Sequence, residues 1–422
     1  MRNNTTYKQY ILHTALFLLT LVTTTLAGAE WTGKHYLNGW DFVWSGLDYS
    51  ITFLGILTIH EMGHYYFARK NNVDATLPYY IPFYFPGIPS IGTFGAFIRM
   101  KGIIHSRRTM FDIGIAGPLA GFVAAILLLV YGFATLPEKS YLFRIHPEYA
   151  AIQGDYRHEA YTYDFIKKRS DLHTELTFIQ DSIYYLQHHD SIPELKKPVK
   201  AYETEFEVIV VGKNLLFLLF EKLFSYQGDR LPDPHELYHY PFIFAGYLAL
   251  FFTALNLIPV GQLDGGHVTY GLFGYERSKK ISAVFFILFV SIAGVGMFKE
   301  NILQINFFTA NAADQLEFAF FYLIFLYLIF AKMFETFLNA LLTAVAVFTF
   351  QFLVEFLFPE ITGYGFWLLY AFLIGRYLGV YHPPALSEQP LDTKRKVLGW
   401  IALGIFVLCF TPEVVSFELI RP

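Results

Sequence analysis

The sequence predicts an all-α polytopic membrane protein with about eight or nine transmembrane helices, a short membrane-associated β-hairpin and a polar extracytosolic insert. Three observations predict it. The chain is 55% hydrophobic and only 16% charged, where a soluble chain usually carries ~25% charge. Apolar runs of roughly 18–25 residues recur along it, the length a helix needs to cross a bilayer. Two stretches break the series, one rich in Pro, Gly and aromatics and one rich in charge.

The runs lie at 10–28, 48–68, 111–135, 241–259, 281–298, 316–331, 335–358, 362–380 and 397–414. The first ends near Ala27-Gly28-Ala29, which resembles a signal-peptide cleavage site; its apolar run is long for that role, so a retained helix is expected. The pair flanking Lys332 is one span or two, hence eight or nine. Lys and Arg set the orientation. Arg69, Lys70, Arg99, Lys101, Arg107 and Arg108 fall between the second and third runs. Arg277, Lys279 and Lys280 fall between the fourth and fifth, and Lys394, Arg395 and Lys396 precede the last. Alternating spans put all three clusters on one side, read as cytosolic, and Arg2 and Lys8 agree.

Five regions follow: 1–40, an N-terminal helix and outer loop; 41–136, a first part of the core; 137–240, the insert; 241–300, a second part of the core; and 301–422, C-terminal helices. Residues 73–105 are too broken for a helix and too apolar for a solvated loop. Within them GTFGAFIRM (92–100) reads as a short strand or hairpin, and such backbone at membrane depth must be buried by protein or line a wet cavity. In the insert, 212–224 reads as an interfacial or re-entrant helix. A net charge of −4 gives no basic field for nucleic acid, so the partners expected are the bilayer and molecules within it. Cys409 is the only cysteine, which excludes intrachain disulfides and Cys-based zinc sites.

The second run contains His60-Glu61-Met62-Gly63-His64. On a helix, residues i and i+4 share a face, so His60 and His64 can hold one metal ion. Glu61 is offset, placed as general base rather than ligand. Three ionisable groups in one turn of a membrane helix are costly without a function, and a zinc site at that depth suggests proteolysis within the bilayer. A third ligand is needed, with one position left open. Asp264 is the strongest candidate: Pro259 and Gly261 break the helix just before it, Gly265 and Gly266 leave space around it, and the charge count puts it at the same end as the histidines. One zinc per chain is expected on His60, His64 and Asp264.

A further H-E-x-x-H, His235 to His239, lies between Pro232, Pro234 and Pro241 on the outer side, where Pro241 disfavours helix continuation. It reads as polar residues entering a span at the interface. Asn256 either bonds between helices or contacts substrate. His13, Glu335, Asn339 and Glu355 read as helix-packing or interfacial groups, and His267 as no ligand.

HEMGH, IAGPLAGF (115–122) and NLIPVGQLDGG (256–266) together resemble the three signatures of the site-2 protease family of intramembrane zinc metalloproteases. ATLPYYIPFYFPGIPSIGTFGAFIRMKG and AGYLALFFTALNLIPVGQLDGGH resemble the branch without a PDZ domain, found in cyanobacteria and chloroplasts. The match covers about 48–300. It implies zinc on His60, His64 and Asp264, with Glu61 as base. Asn256 corresponds to the family's Asn ahead of the LDG motif, and GTFG to a β-segment linked to substrate presentation. On it Phe94, Gly95, Ala96 and Asn256 are expected to bind substrate. The family often has a second Pro where Gly261 stands, the insert does not read as a PDZ domain, and nothing matches the spans after 316.

The expected activity is hydrolysis of peptide bonds in transmembrane segments of membrane-protein substrates. The expected place is a bacterial inner (plasma) membrane, with the active site toward the cytosol. Rival readings are a divalent-metal transporter, which needs a polar path across both leaflets, and a catalytically silent scaffold, which would tolerate loss of Glu61.

Overall fold

In hydrocarbon a backbone must satisfy its own hydrogen bonds, so the apolar runs fold as helices. A computed structural model describes residues 2–33, 40–86, 90–101, 106–152, 154–188, 205–299 and 306–422. Parts of the aromatic stretch and of the insert, and the boundary expected at 300/301, lie outside the described residues.

The first half runs α1 (Arg2–Trp31), α2 (Trp40–Ser45), α3 (Leu47–Lys70), β1 (Asp74–Ala75), β2 (Tyr79–Pro82), β3 (Thr93–Phe97), β4 (Met100–Lys101) and α4 (Arg107–Ala134). The insert follows with α5 (Ser140–Ile145), a 3-10 turn at Pro147–Ala151, α6 (Tyr156–Glu159), α7 (Tyr163–His188), β5 (Phe206–Val211) and α8 (Leu215–Leu223). Then come α9 (Pro241–Asn256), α10 (Asp264–Phe273), α11 (Tyr275–Ala293), α12 (Ala312–Phe330), α13 (Phe337–Leu357), α14 (Phe366–Leu373), α15 (Thr393–Cys409) and β6 (Val415–Ile420).

Among the described residues, four helical segments are long and apolar enough to cross a membrane: Tyr7–Trp31, Arg107–Ala134, Ala312–Phe330 and Phe337–Leu357. Pro241–Asn256 and Phe366–Leu378 are shorter apolar helices. Length and composition therefore do not reach eight or nine spans. The reasons are local. The run at 241–259 stops at Asn256, because the turn leading through Pro259 leaves the helix. The run at 362–380 yields eight α-helical residues continued by a five-residue π-helical turn, Ile374–Leu378. Helices α3 and α11 carry charge inside or at their ends. Even so, Ile51, Leu127, Leu288, Phe320, Leu342 and Val407 are all exposed, an outward apolar surface suited to lipid.

GTFGAFIRM is not a hairpin on its own. Its strand β3 pairs antiparallel with the upstream β2, Tyr79 opposite Phe97 and Tyr80 opposite Ala96. Next to it β1 pairs with β4. GTFGAFIRM supplies the expected strand, and both pairings join strands from either end of the 73–105 stretch. Helix α1 carries this sheet: His13 donates to Pro78 O at 3.0 Å, Thr23 to Gly92 O at 2.7 Å and the Trp31 indole to Ser90 O at 2.7 Å. His13 thus has the packing role expected of it.

The insert has a strand that periodicity did not reveal: β5 pairs with β6 from the end of the chain, Phe206 opposite Ile420. Helix α8 buries Leu216, Phe217 and Phe220 while Leu215, Leu219 and Leu223 stay exposed, as an interfacial helix would. At the other end Arg395, in the first turn of α15, bonds Asp112 near the start of α4 at 2.7 Å. Helix α15 therefore joins the basic face to the insert face. Glu355 is buried and accepts from the Gly296 and Phe298 amides at 2.9 and 3.2 Å, capping the turn after α11. Glu335 and Asn339 are exposed.

Candidate metal centre

His60 and His64 face inward on α3 because ten residues of that helix, both among them, turn to the bundle. They lie ten and six residues before Lys70, about 15 and 9 Å from the basic end. Helix α10 begins at Asp264, after the broken turn, and brings its carboxylate to the same point. His64 Nε2 is 3.1 Å from His60 Nε2 and 3.1 Å from Asp264 Oδ2. His60 Nε2 is 3.4 Å from Asp264 Oδ2. A tetrahedral zinc with arms of ~2.0–2.1 Å separates its ligands by ~3.3 Å, so the three atoms fit one face of that tetrahedron. His64 Nδ1 donates to Ile113 O at 2.7 Å, which leaves its Nε2 lone pair aimed at the cluster.

Glu61 is buried with its carboxylate 4.0 Å from His60 Nε2, too far to join the ligand set and near enough to meet a molecule held there. Ile98, just beyond β3, lines the same cleft as Glu61. A cleft of about 190 Å³ opens onto the cluster, lined among others by Glu61, Ala96, Ile98, Asn256, Asp264 and His267. At ~30 Å³ per water it admits several waters.

Asn256 reaches this centre, its amide nitrogen 3.4 Å from His60 Nε2. Of the strand residues, Ala96 lines the cleft. Phe94 does not; it is exposed, its ring tilted against that of Phe83 at 4.2 Å. Gly95 has φ +105, a left-handed conformation that favours glycine. His267 lines the cleft and pairs with His382 at 2.7 Å.

Sequence reasoning missed the part played by two glycines. Gly117 lies where a Cβ would stand 2.1 Å from His64 Nε2, and Gly121 where one would stand 3.2 Å from His60. A glycine pair four residues apart on α4 thus faces the histidine pair four residues apart on α3. The signal was available, since small residues at i and i+4 let membrane helices approach closely. Around Asp264, the glycines do not leave space as expected. A Cβ on Gly265 would strike Leu257 O at 2.0 Å, so it is the tight turn that needs them.

Gly261 explains a departure from the family pattern. Its φ is +60, its N–H donates to Val380 O at 3.0 Å, and a Cβ would lie 2.0 Å from Gly379 O. Proline has neither that φ nor an N–H. The chain after α14 docks on the turn that positions Asp264, and only glycine fits beneath it.

The further H-E-x-x-H does not form a shared face. His235 bonds Asp233 at 2.6 Å and Glu418 at 3.2 Å, whereas His239 turns the other way, toward Trp31 O at 2.6 Å. Only a 3-10 turn, Leu237–His239, separates them from α9.

Two helix-borne histidines one turn apart, an adjoining glutamate and a carboxylate from a distant broken helix define a metallopeptidase-type centre. A family model, Peptidase family M50, matches residues 49–298, and the chain belongs to that family. Among curated proteins it is similar to "Probable zinc metalloprotease EGY1, chloroplastic" of Oryza sativa subsp. japonica, 27% identical over 56% of this chain and 29% of that protein. It is also similar to the EGY2 protein of Oryza sativa subsp. indica, 24% identical over 54% of this chain and 30% of that one. The EGY1 protein of Arabidopsis thaliana is 24% identical over 64% of this chain and 41% of its own length. The chain thus spans well under half the length of these relatives. No solved structure matches. Apolar helices and family together support an integral membrane protein. The relatives carry chloroplastic names and give no support to a bacterial inner membrane.

Proposed function

We propose that the chain is an intramembrane zinc endopeptidase that hydrolyses peptide bonds in transmembrane segments of membrane-protein substrates. The observation that carries this reading is the triangle of His60, His64 and Asp264 with Glu61 beside it, buried between helices. One zinc held by these three residues supplies Lewis acidity toward a water and the scissile carbonyl. Glu61 takes the proton of the attacking water and returns it to the leaving amine. Asn256, which lines the same cleft beside His60, is placed to contact the substrate. The cleft admits water from the basic side. Helices α3, α9, α11 and α15 are read as crossing the membrane with the four longer segments.

A helical substrate hides its amides and has to unwind. Strand β3 offers a place for the unwound segment: one edge is paired with β2, and among the described residues no other strand pairs with it. Backbone bonds then hold the substrate by β-addition, and side chains choose it weakly. Proline at Phe94 or Ala96 removes an N–H and bends the strand. At least one of the two variants is expected to lose tenfold or more of reporter cleavage with zinc content and melting temperature kept, while Phe97→Leu changes little. Unchanged rates in both well-folded proline variants would place substrate binding elsewhere.

The function itself is tested by His64→Ala in proteoliposomes carrying a single-span reporter. Zinc should fall by one per chain and cleavage should cease. Full zinc retention would overturn the ligand set; zinc flux without reporter cleavage by the wild type would favour a transporter.

A further inference from the structure

We propose that the outer face of the protein carries a second zinc site, built from His146, Glu236 and His239. His146 directly follows α5 and the other two precede α9. His146 Nε2 is 3.0 Å from His239 Nε2 and 3.4 Å from Glu236 Oε2. His239 Nε2 is 3.3 Å from Glu236 Oε2. These are the edges of a tetrahedral zinc face, matching those at His60, His64 and Asp264. The two clusters lie at opposite ends of α9, whose sixteen residues span about 24 Å.

The protons argue for a cation. His239 Nδ1 donates to Trp31 O at 2.6 Å, so its Nε2 offers a lone pair. His146 Nδ1 is 3.5 Å from Glu148 Oε1, a carboxylate that Arg169 holds at 3.2 Å, an arrangement that favours a proton on Nδ1 and a lone pair on Nε2. Glu236 Oε1 accepts from Tyr149 at 2.8 Å and from Tyr161. Its Oε2 is buried without a hydrogen-bond partner. With these tautomers three acceptor atoms face one another, those of Glu236 and His239 buried. One proton could bridge a single pair of them; one zinc ion satisfies all three. Imidazoles oriented by a carbonyl and a carboxylate, with a hydroxyl-held glutamate, are the surroundings zinc ligands usually have.

The ligand set differs from the one the sequence motif suggested. Glu236 is a ligand here rather than a base, His235 is replaced by His146 from ninety residues upstream, and no helix links the pair. Zinc at this point ties the start of the insert and the entry to α9 to the end of α1, whose Trp31 carbonyl orients His239. The role is a structural staple that holds the insert on the bundle.

Elemental analysis of full-length protein stripped by chelator and reloaded with zinc tests this. Wild type should hold two zinc ions per chain and His60→Ala/His64→Ala one. Adding His146→Ala or His239→Ala to that background should remove the remaining ion. Glu236→Gln keeps the shape and the tyrosine bonds, and should weaken zinc retention at least tenfold even if the alanine variants fold poorly. His235→Ala should retain the ion. X-ray absorption at the zinc edge of the His60→Ala/His64→Ala protein should show two nitrogen and at least one oxygen neighbour. A His60→Ala/His64→Ala protein that is folded and zinc-free, or one whose zinc survives both Glu236→Gln and His239→Ala, overturns the site.

Discussion

Glu61→Gln is expected to lower cleavage of a membrane-embedded reporter by about 10²–10⁴-fold, the usual weight of a general base, with zinc content unchanged. Glutamine keeps the shape of the side chain and removes its basicity. The carboxylate is 4.0 Å from His60 Nε2 and outside the ligand triangle, so the metal has no reason to leave. Its burial makes the experiment sharp, because no bulk-exposed carboxylate stands ready to replace it: the other carboxylate lining the cleft is Asp264, already turned to the histidines. Rates within a few-fold of wild type, measured in the same liposomes at equal zinc content, would remove Glu61 from the mechanism and return the scaffold reading to consideration.

Gly117→Ala should be nearly as severe. The added methyl would sit 2.1 Å from His64 Nε2, 2.4 Å from its Cδ2 and 2.6 Å from its Cε1. These are ring atoms of a side chain pinned to Ile113 O, so the ring cannot yield without giving up that bond, and α4 cannot retreat without opening the bundle. A displacement on the order of 1 Å at a reacting centre costs about a hundredfold in rate, and here the displaced group is a proposed ligand. Zinc should fall by one per chain together with cleavage. Gly55→Ala on α3 serves as control, since nothing lies within 4 Å of its added carbon. A Gly117→Ala protein with full zinc and wild-type rates would show that the two helices do not meet as described.

Much of this centre was legible in the residues. His60, Glu61 and His64 follow from helical spacing, and Asp264 from a helix break that a membrane segment would not carry idly. What periodicity could not supply was contact across elements. The β2–β3 pairing depends on chain returning from an excursion whose length is not written in either strand. The β5–β6 pairing joins the insert to the far end of the chain. The count of eight or nine spans is not confirmed for a related reason: α9 and α14 are short because turns and a π-helical stretch interrupt them, and hydropathy averages over such interruptions. Gly117 was visible only as part of a signature. Its purpose appears once the ring it clears is in place. The outer H-E-x-x-H reads in sequence as polar residues entering a span at the interface, which could not show that His146 comes to lie beside Glu236 and His239.

The separation between ligands also has a meaning in time. His64 and Asp264 are 200 residues apart. Ribosomes add roughly 5–20 residues each second, so the aspartate emerges roughly 10–40 s after the histidines, and Val380, which braces its turn, later still. Throughout that interval the nascent chain holds two imidazoles and a glutamate but no closed centre. On the proposed ligand set, the growing chain therefore has no complete metal centre at these histidines until Asp264 and the segment that braces its turn have emerged.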